Sequence, residues 1–321
     1  MLPTLFRRSA VAACALAAVA CGSTAAPDPV ETAYVLPGER VYPEGIAADP
    51  RTGDTYVGSY ATGAIYRAAP DAAEAEVFLP AGADGRATAN GLEVDSAGRL
   101  WVTDSTAGVT VYDIASRRVL ARFDVPGPQP RFVNDLAVTP DGSAYLTDSV
   151  RGVVYRVTPD QLAAGGGGAE LTVRFDLTGK LAPRAPDALN INGIVADPAG
   201  RYLLVVDMIP GRLYRIGLDD GAIREVELHG GDVGNGDGLE LRDGTLWVVQ
   251  NLTNTVSRWS VADDGATATK SGEITDAALR IPTTMARVGD RTLVVASQFD
   301  RGGPMGPGEP SRFEIVSVHG I

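Results

Sequence analysis

The stretch Asn90–Asp113, NGLEVDSAGRLWVTDSTAGVTVYD, contains three short apolar runs separated by two turn sequences. Apolar runs bounded by turns rich in Gly and Asp are typical of antiparallel β-strands. The sequence that follows, VLARFDV, predicts a fourth and more polar strand. This unit of four strands is the feature that decides the fold.

The same unit recurs six times along the chain. The units start at Glu44, Asn90, Asn134, Asn192, Asp237 and Thr283, so successive starts are 46, 44, 58, 45 and 46 residues apart. Six units of four antiparallel strands predict an all-β protein, a six-bladed β-propeller. A β-sandwich, the alternative, would not explain repetition at a nearly constant period.

Closure of the ring follows from the last unit, which has three predicted strands near Met285–Val288, Thr292–Ala296 and Phe313–Val318. The missing fourth strand is expected to be Ala33–Leu36, which precedes the first unit and has no other partner. Pairing the two chain ends removes an exposed sheet edge. We therefore predict a propeller over residues 33–321, preceded by a linker over residues 21–32.

Residues 1–20 predict a signal peptide. Arg7 and Arg8 precede an apolar run, Ala10–Ala20, which is too short to span a membrane and ends at Cys21. The sequence AVAC resembles the lipobox of bacterial lipoproteins, in which Cys21 would be lipidated and become the mature N-terminus. The protein is thus expected to be exported, either anchored in the cell envelope by that lipid or secreted in soluble form.

The composition excludes several classes of function. The chain has 28 Lys and Arg residues against 40 Asp and Glu, a net charge of −12, and no basic run, which argues against nucleic-acid binding. Both cysteines, Cys14 and Cys21, lie in the targeting segment, so the mature domain has no disulfide, thiol nucleophile or cysteine metal site. We expect a monomer that acts on a small molecule.

The six unit-start residues, called here the ring residues, should surround one mouth of the central channel. A single Asn, Asp or Thr at such a place is commonly a turn residue. Glu44, however, is a poor turn former, and two carboxylates across a narrow channel repel unless a cation lies between them. An all-oxygen donor set suits Ca²⁺ first, with Mg²⁺ and Mn²⁺ as alternatives and Zn²⁺ still possible.

The sequences around four of the ring residues resemble motifs of a known protein family. The sequences PEGIAAD, RFVNDLAV, NGIVADPAGRYLLVVD and GDGLEL, in this order, resemble motifs of the senescence marker protein, gluconolactonase and luciferin-regenerating enzyme family. The resemblance extends from Val35 to the end of the chain. It implies a six-bladed propeller and a divalent-metal-dependent hydrolase of lactones or related esters.

Residue by residue, the resemblance implies that Glu44, Asn192 and Asp237 bind the metal and that Asn134 reaches the metal or its bound water and substrate. Asp237 would also act as general base or nucleophile. Two departures disfavour a sugar lactone: Glu44-Gly45 is followed by Ile46-Ala47 rather than by Pro and an aromatic residue, and Arg131 lies one residue too far from Asn134.

Further residues are candidates for substrate binding: Asn90, Arg131, Asp135, Asp148, Met208 and Thr283. Asp104, Asp148, Asp207 and Gln250 end the second strands on the ring face and either terminate those strands or contact substrate. Residues 178–190 and 299–312 are long insertions on that face and could form a lid. A non-catalytic envelope-associated propeller that binds a ligand or partner, or another enzyme on this scaffold, remains an alternative.

Overall fold

The protein folds as six small sheets arranged as a six-bladed β-propeller, which confirms the predicted architecture. The computed structural model describes residues 28–165 and 167–321. The predicted signal peptide at residues 1–20, the lipidation site Cys21 and most of the 21–32 linker lie outside the described residues. Within the described ranges, no helix has the length and apolar character needed to cross a membrane.

The elements follow one another around the ring in chain order. The strand β1 (Val30–Val35) comes first, and blade 1 follows with β2 (Pro43–Ala48), β3 (Thr55–Ser59), β4 (Ile65–Ala68) and β5 (Glu76–Leu79). Blade 2 has β6 (Leu92–Val94), β7 (Arg99–Asp104), β8 (Gly108–Asp113) and β9 (Arg118–Asp124). Blade 3 has β10 (Val133–Val138), β11 (Ala144–Asp148), β12 (Val153–Val157) and helix α1 (Pro159–Ala163). The chain then adds the strand β13 (Gly167–Glu170) to the sheet of blade 2 and returns to blade 3 with β14 (Thr172–Asp176).

The second half of the ring repeats this order. Blade 4 has β15 (Ile191–Ala196), β16 (Tyr202–Asp207), β17 (Arg212–Gly217) and β18 (Ile223–Glu225). Blade 5 has β19 (Glu227–His229), β20 (Gly236–Arg242), β21 (Thr245–Gln250), β22 (Thr255–Val261) and β23 (Thr267–Thr275). Blade 6 has β24 (Pro282–Val288), β25 (Arg291–Ala296) and β26 (Glu314–Val318), and 3₁₀ turns cover Ala83–Gly85 and Ala277–Leu279.

The N-terminal strand closes the ring as predicted. The last sheet has the order β1-β26-β25-β24, and β1 pairs antiparallel with β26. This strand begins at Val30 rather than at Ala33, so three residues assigned to the linker belong to the propeller. The reason is that Val30 is itself buried, in the core between blades 5 and 6, where it packs in one cluster with Trp247 and Met285.

Two sheets have five strands instead of the predicted four. The short strand β13 pairs parallel with β9 of blade 2, and β19 pairs parallel with β23 of blade 5. Both extra strands cover the outer edge of a blade, where unpaired backbone groups would otherwise be exposed.

The core lies between the blades, and the strand period explains it. In blade 2, Leu100 and Tyr112 pack towards blade 1, whereas Trp101 and Val111 pack towards blade 3. Because successive side chains of a strand point to opposite faces, each central strand supplies two different inter-blade cores. This is why sequences such as RLWVTD are apolar at consecutive positions and almost completely buried.

Neighbouring innermost strands come closest at the glycine that follows a ring residue. A Cβ built on Gly45 would lie 1.9 Å from the carbonyl oxygen of Asn90, and one on Gly193 would lie 2.2 Å from that of Asp237. Gly238 has a similarly close neighbour, with Thr284 Oγ1 at 2.0 Å. The repeated pairing of a polar residue with glycine is therefore a packing requirement of the channel.

We predict that Gly193→Ala destabilises the protein by about 1–3 kcal/mol, because its methyl group would overlap a backbone carbonyl that cannot move aside. Urea unfolding and the thermal midpoint measure this effect. Gly179→Ala is the matched control, since an added Cβ there meets nothing within 4 Å. Equal midpoints for the two variants would contradict the packing argument.

Candidate metal and substrate site

A β-bulge at the start of the innermost strand positions the ring residues. In β2, β10, β15, β20 and β24 the pairing with the second strand breaks between the residue before the ring residue and the residue two positions after it. Two residues of each strand are thus left out of the regular ladder. Bulges bend a strand and change the direction of its side chains, and they are frequent beside functional sites.

The backbone before three ring residues is left-handed. Tyr42, Asn235 and Ile281, each two residues upstream of a ring residue, have φ values of 41°, 58° and 56°. For a β-branched residue such as Ile281 this conformation costs roughly 1–3 kcal/mol. It is held by a bond from the Ile281 N–H to Asn254 Oδ1 at 2.7 Å and by one from Ser297 Oγ to the Ile281 carbonyl at 2.5 Å.

Three of the four predicted metal ligands form one hydrogen-bonded network. The Asn134 Nδ2 group donates to Ser149 Oγ at 3.0 Å and to Asn192 Oδ1 at 2.8 Å. Asn251 Nδ2 donates to Asp237 Oδ2 at 2.9 Å, and Asn192 is near enough to Asp237 to lower its pKa. Blades 3, 4 and 5 therefore present their ring residues as a connected unit.

Glu44 completes this group from blade 1. It lines the same cavity of about 170 Å³ as Asn192 and Asp237. Burial, followed by the charges of Asp237 and Asp135, raises the pKa of Glu44 well above its usual range. Burial and the charge of Asp135 likewise raise the pKa of Asp237, although bonds from Asn251 and Asn192 oppose the shift. A cation between these carboxylates would offset both the burial and the repulsion.

The amide oxygens of the ring fit such a cation. Asn134 Oδ1 and Asn90 Oδ1 are buried and have no hydrogen-bond partner. Their Nδ2 groups donate to Ser149 and Ser105, which fixes the side to which each oxygen points. A buried acceptor without a partner is costly in a folded protein, and a bound cation would satisfy it.

The donor set is oxygen only and relies on amides as well as carboxylates. Across residues 28–165 and 167–321, no group of three or more His, Cys, Asp or Glu side chains is placed to hold a metal ion. Two carboxylates, Glu44 and Asp237, together with the amide oxygens of Asn134 and Asn192, make a hard donor set of the kind that Ca²⁺ prefers.

The family model described as SMP-30/gluconolactonase/LRE-like region matches residues 42–297. This chain belongs to the SMP-30/gluconolactonase/LRE-like family. The predicted resemblance is thereby confirmed, and the match includes all four predicted metal ligands. It ends before the loop over residues 299–312 and does not include the strands β1 and β26 that close the ring.

Solved structures of low sequence identity share the fold. A gluconolactonase from Xanthomonas campestris is 19% identical, with 90% of this chain and 89% of that chain covered and a TM-score of 0.61. A calcium-binding protein, regucalcin, from Agrobacterium tumefaciens is 17% identical, with 90% and 96% covered and a TM-score of 0.62. Virginiamycin B lyase from Staphylococcus aureus is 13% identical, with 91% and 99% covered and a TM-score of 0.59. No curated protein sequence matches this chain significantly.

In blades 2 to 5 the residue after the second strand contacts the ring residue, whereas sequence analysis mostly selected the last residue of that strand. Val133 pairs with Asp148, and the side chain of Asn134 reaches diagonally across the bulge to bond Ser149 Oγ at 3.0 Å. The same offset places Ser105 beside Asn90, Met208 beside Asn192 at 3.8 Å, and Asn251 beside Asp237. The predicted contact of Met208 with substrate is compatible with this position, but Ser105, Ser149 and Asn251 were missed.

Asp148, predicted to contact substrate, instead holds a loop. Its side chain is fully buried. Its Oδ1 atom accepts bonds from the backbone N–H groups of Phe132 and Arg151, each at 3.0 Å, and its Oδ2 atom accepts from Tyr155 Oη at 3.0 Å. Strand-ending Asp residues favour such backbone bonds, so the structural alternative is correct here.

Arg131 and Thr283, predicted to bind substrate, donate hydrogen bonds to backbone carbonyl groups. Arg131 Nη1 donates to the carbonyl groups of Val125 and Gly127, at 3.2 and 2.8 Å, in the loop between β9 and β10. Thr283 Oγ1 donates to the Glu44 carbonyl at 2.6 Å and so links blade 6 to blade 1. Both side chains thus bond the backbone, and their contact with substrate stays a prediction.

Further carboxyl groups occupy the channel. Asp135 lines the ring cavity and accepts bonds from the N–H groups of Leu136 and Ile194, while burial raises its pKa to about 7. Glu93 and Glu240 line the same cavity. Burial, then the charges of Glu240 and Asp135, raises the pKa of Glu93 to about 8, and burial raises that of Glu240 to about 7. The central channel is therefore acidic along its length.

We expect Ser149→Ala to weaken Ca²⁺ binding by about 10-fold, because an outer partner that orients a ligand typically contributes 10–100-fold to affinity. Calorimetric titration with Ca²⁺ measures this. Ser116→Ala, in an exposed turn where Ser116 bonds only its neighbour Asp113, is the control and should bind like wild type. Unchanged Ca²⁺ affinity in Ser149→Ala would show that Asn134 does not need its hydrogen bond to Ser149.

Replacing Glu93 with Gln should stabilise the protein increasingly as pH rises. The pKa of Glu93 is about 8 in the folded state against 4.5 for an ordinary Glu. The unfolded chain thus releases this proton first, and wild-type stability falls between these two pH values. Measured in chelator, we expect Glu93→Gln to exceed wild type by on the order of 2 kcal/mol at pH 8 and by little at pH 5. The exposed control Glu170→Gln should show no such trend, and a constant difference for Glu93→Gln would contradict the assignment.

Proposed function

We propose that the protein is a divalent-cation-dependent hydrolase of lactones or related esters. The observation that carries this proposal is the convergence of Glu44, Asn134, Asn192 and Asp237 at one channel mouth, with Asn134 Oδ1 buried and unpaired. Family membership makes a lactone the first substrate class to consider. Two proteins that share this fold are named a gluconolactonase and a calcium-binding protein, which supports a lactone substrate and a divalent cation.

Glu44, Asn134, Asn192 and Asp237 would hold the cation, and Ca²⁺ suits this oxygen set best. When bound, a divalent cation polarises an ester carbonyl and stabilises the charge that develops on its oxygen. Asn251 Nδ2 donates to Asp237 Oδ2 and so orients the Asp237 carboxylate. Asp237 is therefore placed to act as the general base of the reaction.

In this mechanism the oxygen of a water molecule bonds to the acyl carbon while Asp237 takes one of its protons. The ester C–O bond then breaks, and the leaving oxygen receives that proton. Ring opening of a lactone by this route consumes one water and needs no redox cofactor. Direct attack by the Asp237 carboxylate, followed by hydrolysis of the acyl group, is the alternative use of the same residue.

We also propose that the protein is exported and anchored by a lipid at Cys21, with soluble secretion as the alternative. The support is the sequence before the propeller, where Arg7 and Arg8 precede an apolar run that ends at Cys21. The propeller would then act as a monomer on a small molecule outside the cytoplasm.

The decisive experiment measures bound cation and lactone hydrolysis in the same preparations. Glu44→Gln and Asp237→Asn should weaken Ca²⁺ binding beyond the roughly 10–100-fold expected for an outer partner. Asp237→Asn should also lower kcat by about 10²–10⁴-fold, as for a lost general base. The exposed residues Glu39 and Asp219 provide the matched controls Glu39→Gln and Asp219→Asn, which should behave like wild type.

Two outcomes would overturn the proposal. If wild type binds no divalent cation, the ring is a structural feature of the channel and not a metal centre. If a cation binds but no lactone or ester is hydrolysed, the protein is a non-catalytic binding propeller.

A further inference from the structure

Three aromatic side chains meet over the channel mouth. The rings of Tyr60 and Phe132 are stacked with centroids 6.5 Å apart and planes at 26°, and Phe299 contacts Tyr60 at 5.4 Å. Tyr60 belongs to blade 1 and Phe132 to blade 3, so their contact passes over blade 2. Two blades that are not neighbours can meet in this way only above the mouth that they share.

This aromatic cluster of Tyr60, Phe132 and Phe299 lies next to the ring. Tyr60 directly follows β3, which is the position from which other blades contact their ring residues, and it is close enough to Glu44 to be affected by its charge. Phe132 lies two residues before Asn134 in the chain. Tyr60 and Phe132 are only partly buried, so part of each ring surface remains open to a ligand.

Exposed aliphatic side chains surround the same mouth. Among the described residues, eight large apolar side chains are exposed, and four of them lie in the loops on the ring face: Leu189, Ile209, Leu252 and Met305. Ile209 is 63% exposed and Leu252 is 57% exposed. The other four lie on outer strands of the blades: Val77, Val119, Leu120 and Val173.

These aliphatic residues adjoin the site. Ile209 follows Met208, which contacts Asn192, and Leu252 follows Asn251, which contacts Asp237. The N–H of Met305 donates to the carbonyl of Phe299 at 3.0 Å, so the loop over residues 299–312 brings Met305 to the aromatic cluster. Apolar side chains therefore adjoin the mouth from blades 4, 5 and 6, in addition to the aromatic cluster.

The arginines of the loops before Asn134 and Asn192 bond groups of their own loops or blades. Arg131 donates to the Val125 and Gly127 carbonyls, and Arg184 forms a salt bridge with Asp207 and a bond to the Leu189 carbonyl. An anionic or polyhydroxylated substrate would have to break these contacts to gain a cationic partner. An apolar substrate needs no such exchange.

From these observations we infer that the lactone or ester hydrolysed at this site carries an apolar alkyl or aryl substituent, which packs on Tyr60 and Phe132 beside Glu44. This inference rests on the proposed function and specifies its substrate class. Tyr60 and Phe132 are specificity-determining residues, and Ile209 and Leu252 extend the apolar surface for a longer chain. A sugar lactone would leave its hydroxyl groups against these ring faces without partners, which is unfavourable.

Binding is tested first with lactams, which resist hydrolysis. Ca²⁺-loaded protein is titrated calorimetrically with an unsubstituted six-membered lactam, its butyl derivative and a polyhydroxylated derivative. Complete burial of one methylene group is worth about 0.8 kcal/mol, about 4-fold in affinity, so a half-buried butyl group should gain about 10-fold or more. Equal affinity for all three, or preference for the polyhydroxylated compound, would overturn the inference.

The location is tested with variants. Phe132→Ala should abolish most of the gain from the butyl group, and Phe132→Leu should restore part of it, while Ca²⁺ affinity stays unchanged in both. Ile209→Ser, at an exposed position where folding is not at risk, should reduce the gain by about 2-fold. Val173→Ser on the outer strand β14 is the control and should leave the gain unaltered.

Failure of this inference and failure of the proposed function give different results. Hydrolysis of unsubstituted and butyl lactones is measured in parallel with the lactam titrations. If lactones are hydrolysed without any preference for the butyl group and Phe132→Ala changes nothing, the function stands and the apolar subsite is wrong. If butyl lactam binds at Phe132 but no lactone is hydrolysed, the apolar subsite exists on a non-catalytic propeller.

Discussion

The close approach of the innermost strands is the constraint on which the rest of the structure depends. Gly45, Gly91, Gly193 and Gly238 let neighbouring backbones come within contact distance, where a Cβ would overlap a carbonyl, a Cα or a side chain. The ring residue before each glycine is thereby brought close to those of the adjacent blades. The bulge at this point turns these side chains out of the regular ladder. The close approach of these strands therefore both packs the channel and assembles the site.

The resulting channel concentrates negative charge in a small buried space. Glu44, Asp135 and Asp237 lie at the ring, and Glu93 and Glu240 line the same cavity. Burial raises the pKa of each of these carboxyls, so the protein without a cation carries an electrostatic cost. Such a cost is common at functional sites, where stability is exchanged for affinity or reactivity. Exposed apolar side chains lie around this acidic centre, and they would select the substrate while the carboxylates bind the cation.

Much of this arrangement could be predicted from repeats, because a repeated position in the sequence becomes a repeated position in space. The six ring residues were identified in this way, and so was the closing strand. The supporting residues could not be identified, because the contact of Asn134 with Ser149 runs diagonally across a bulge, and the position of that bulge is not visible in the sequence. The bonds from Arg131 to the carbonyls of Val125 and Gly127 could not be predicted either, because nothing in its local sequence shows that these groups lie within its reach.

The sequence by itself determined the propeller, the number of blades, the membership of the family and the identity of the ring residues. These follow from periodicity and from residue type, which are local properties of the chain. The tertiary structure alone decided which oxygen atoms are left without partners, which arginines are already paired, and which aromatic rings meet across the mouth. Tyr60, Phe132 and Phe299 belong to blades 1, 3 and 6 and are far apart in sequence, so only closure of the ring brings their side chains into contact.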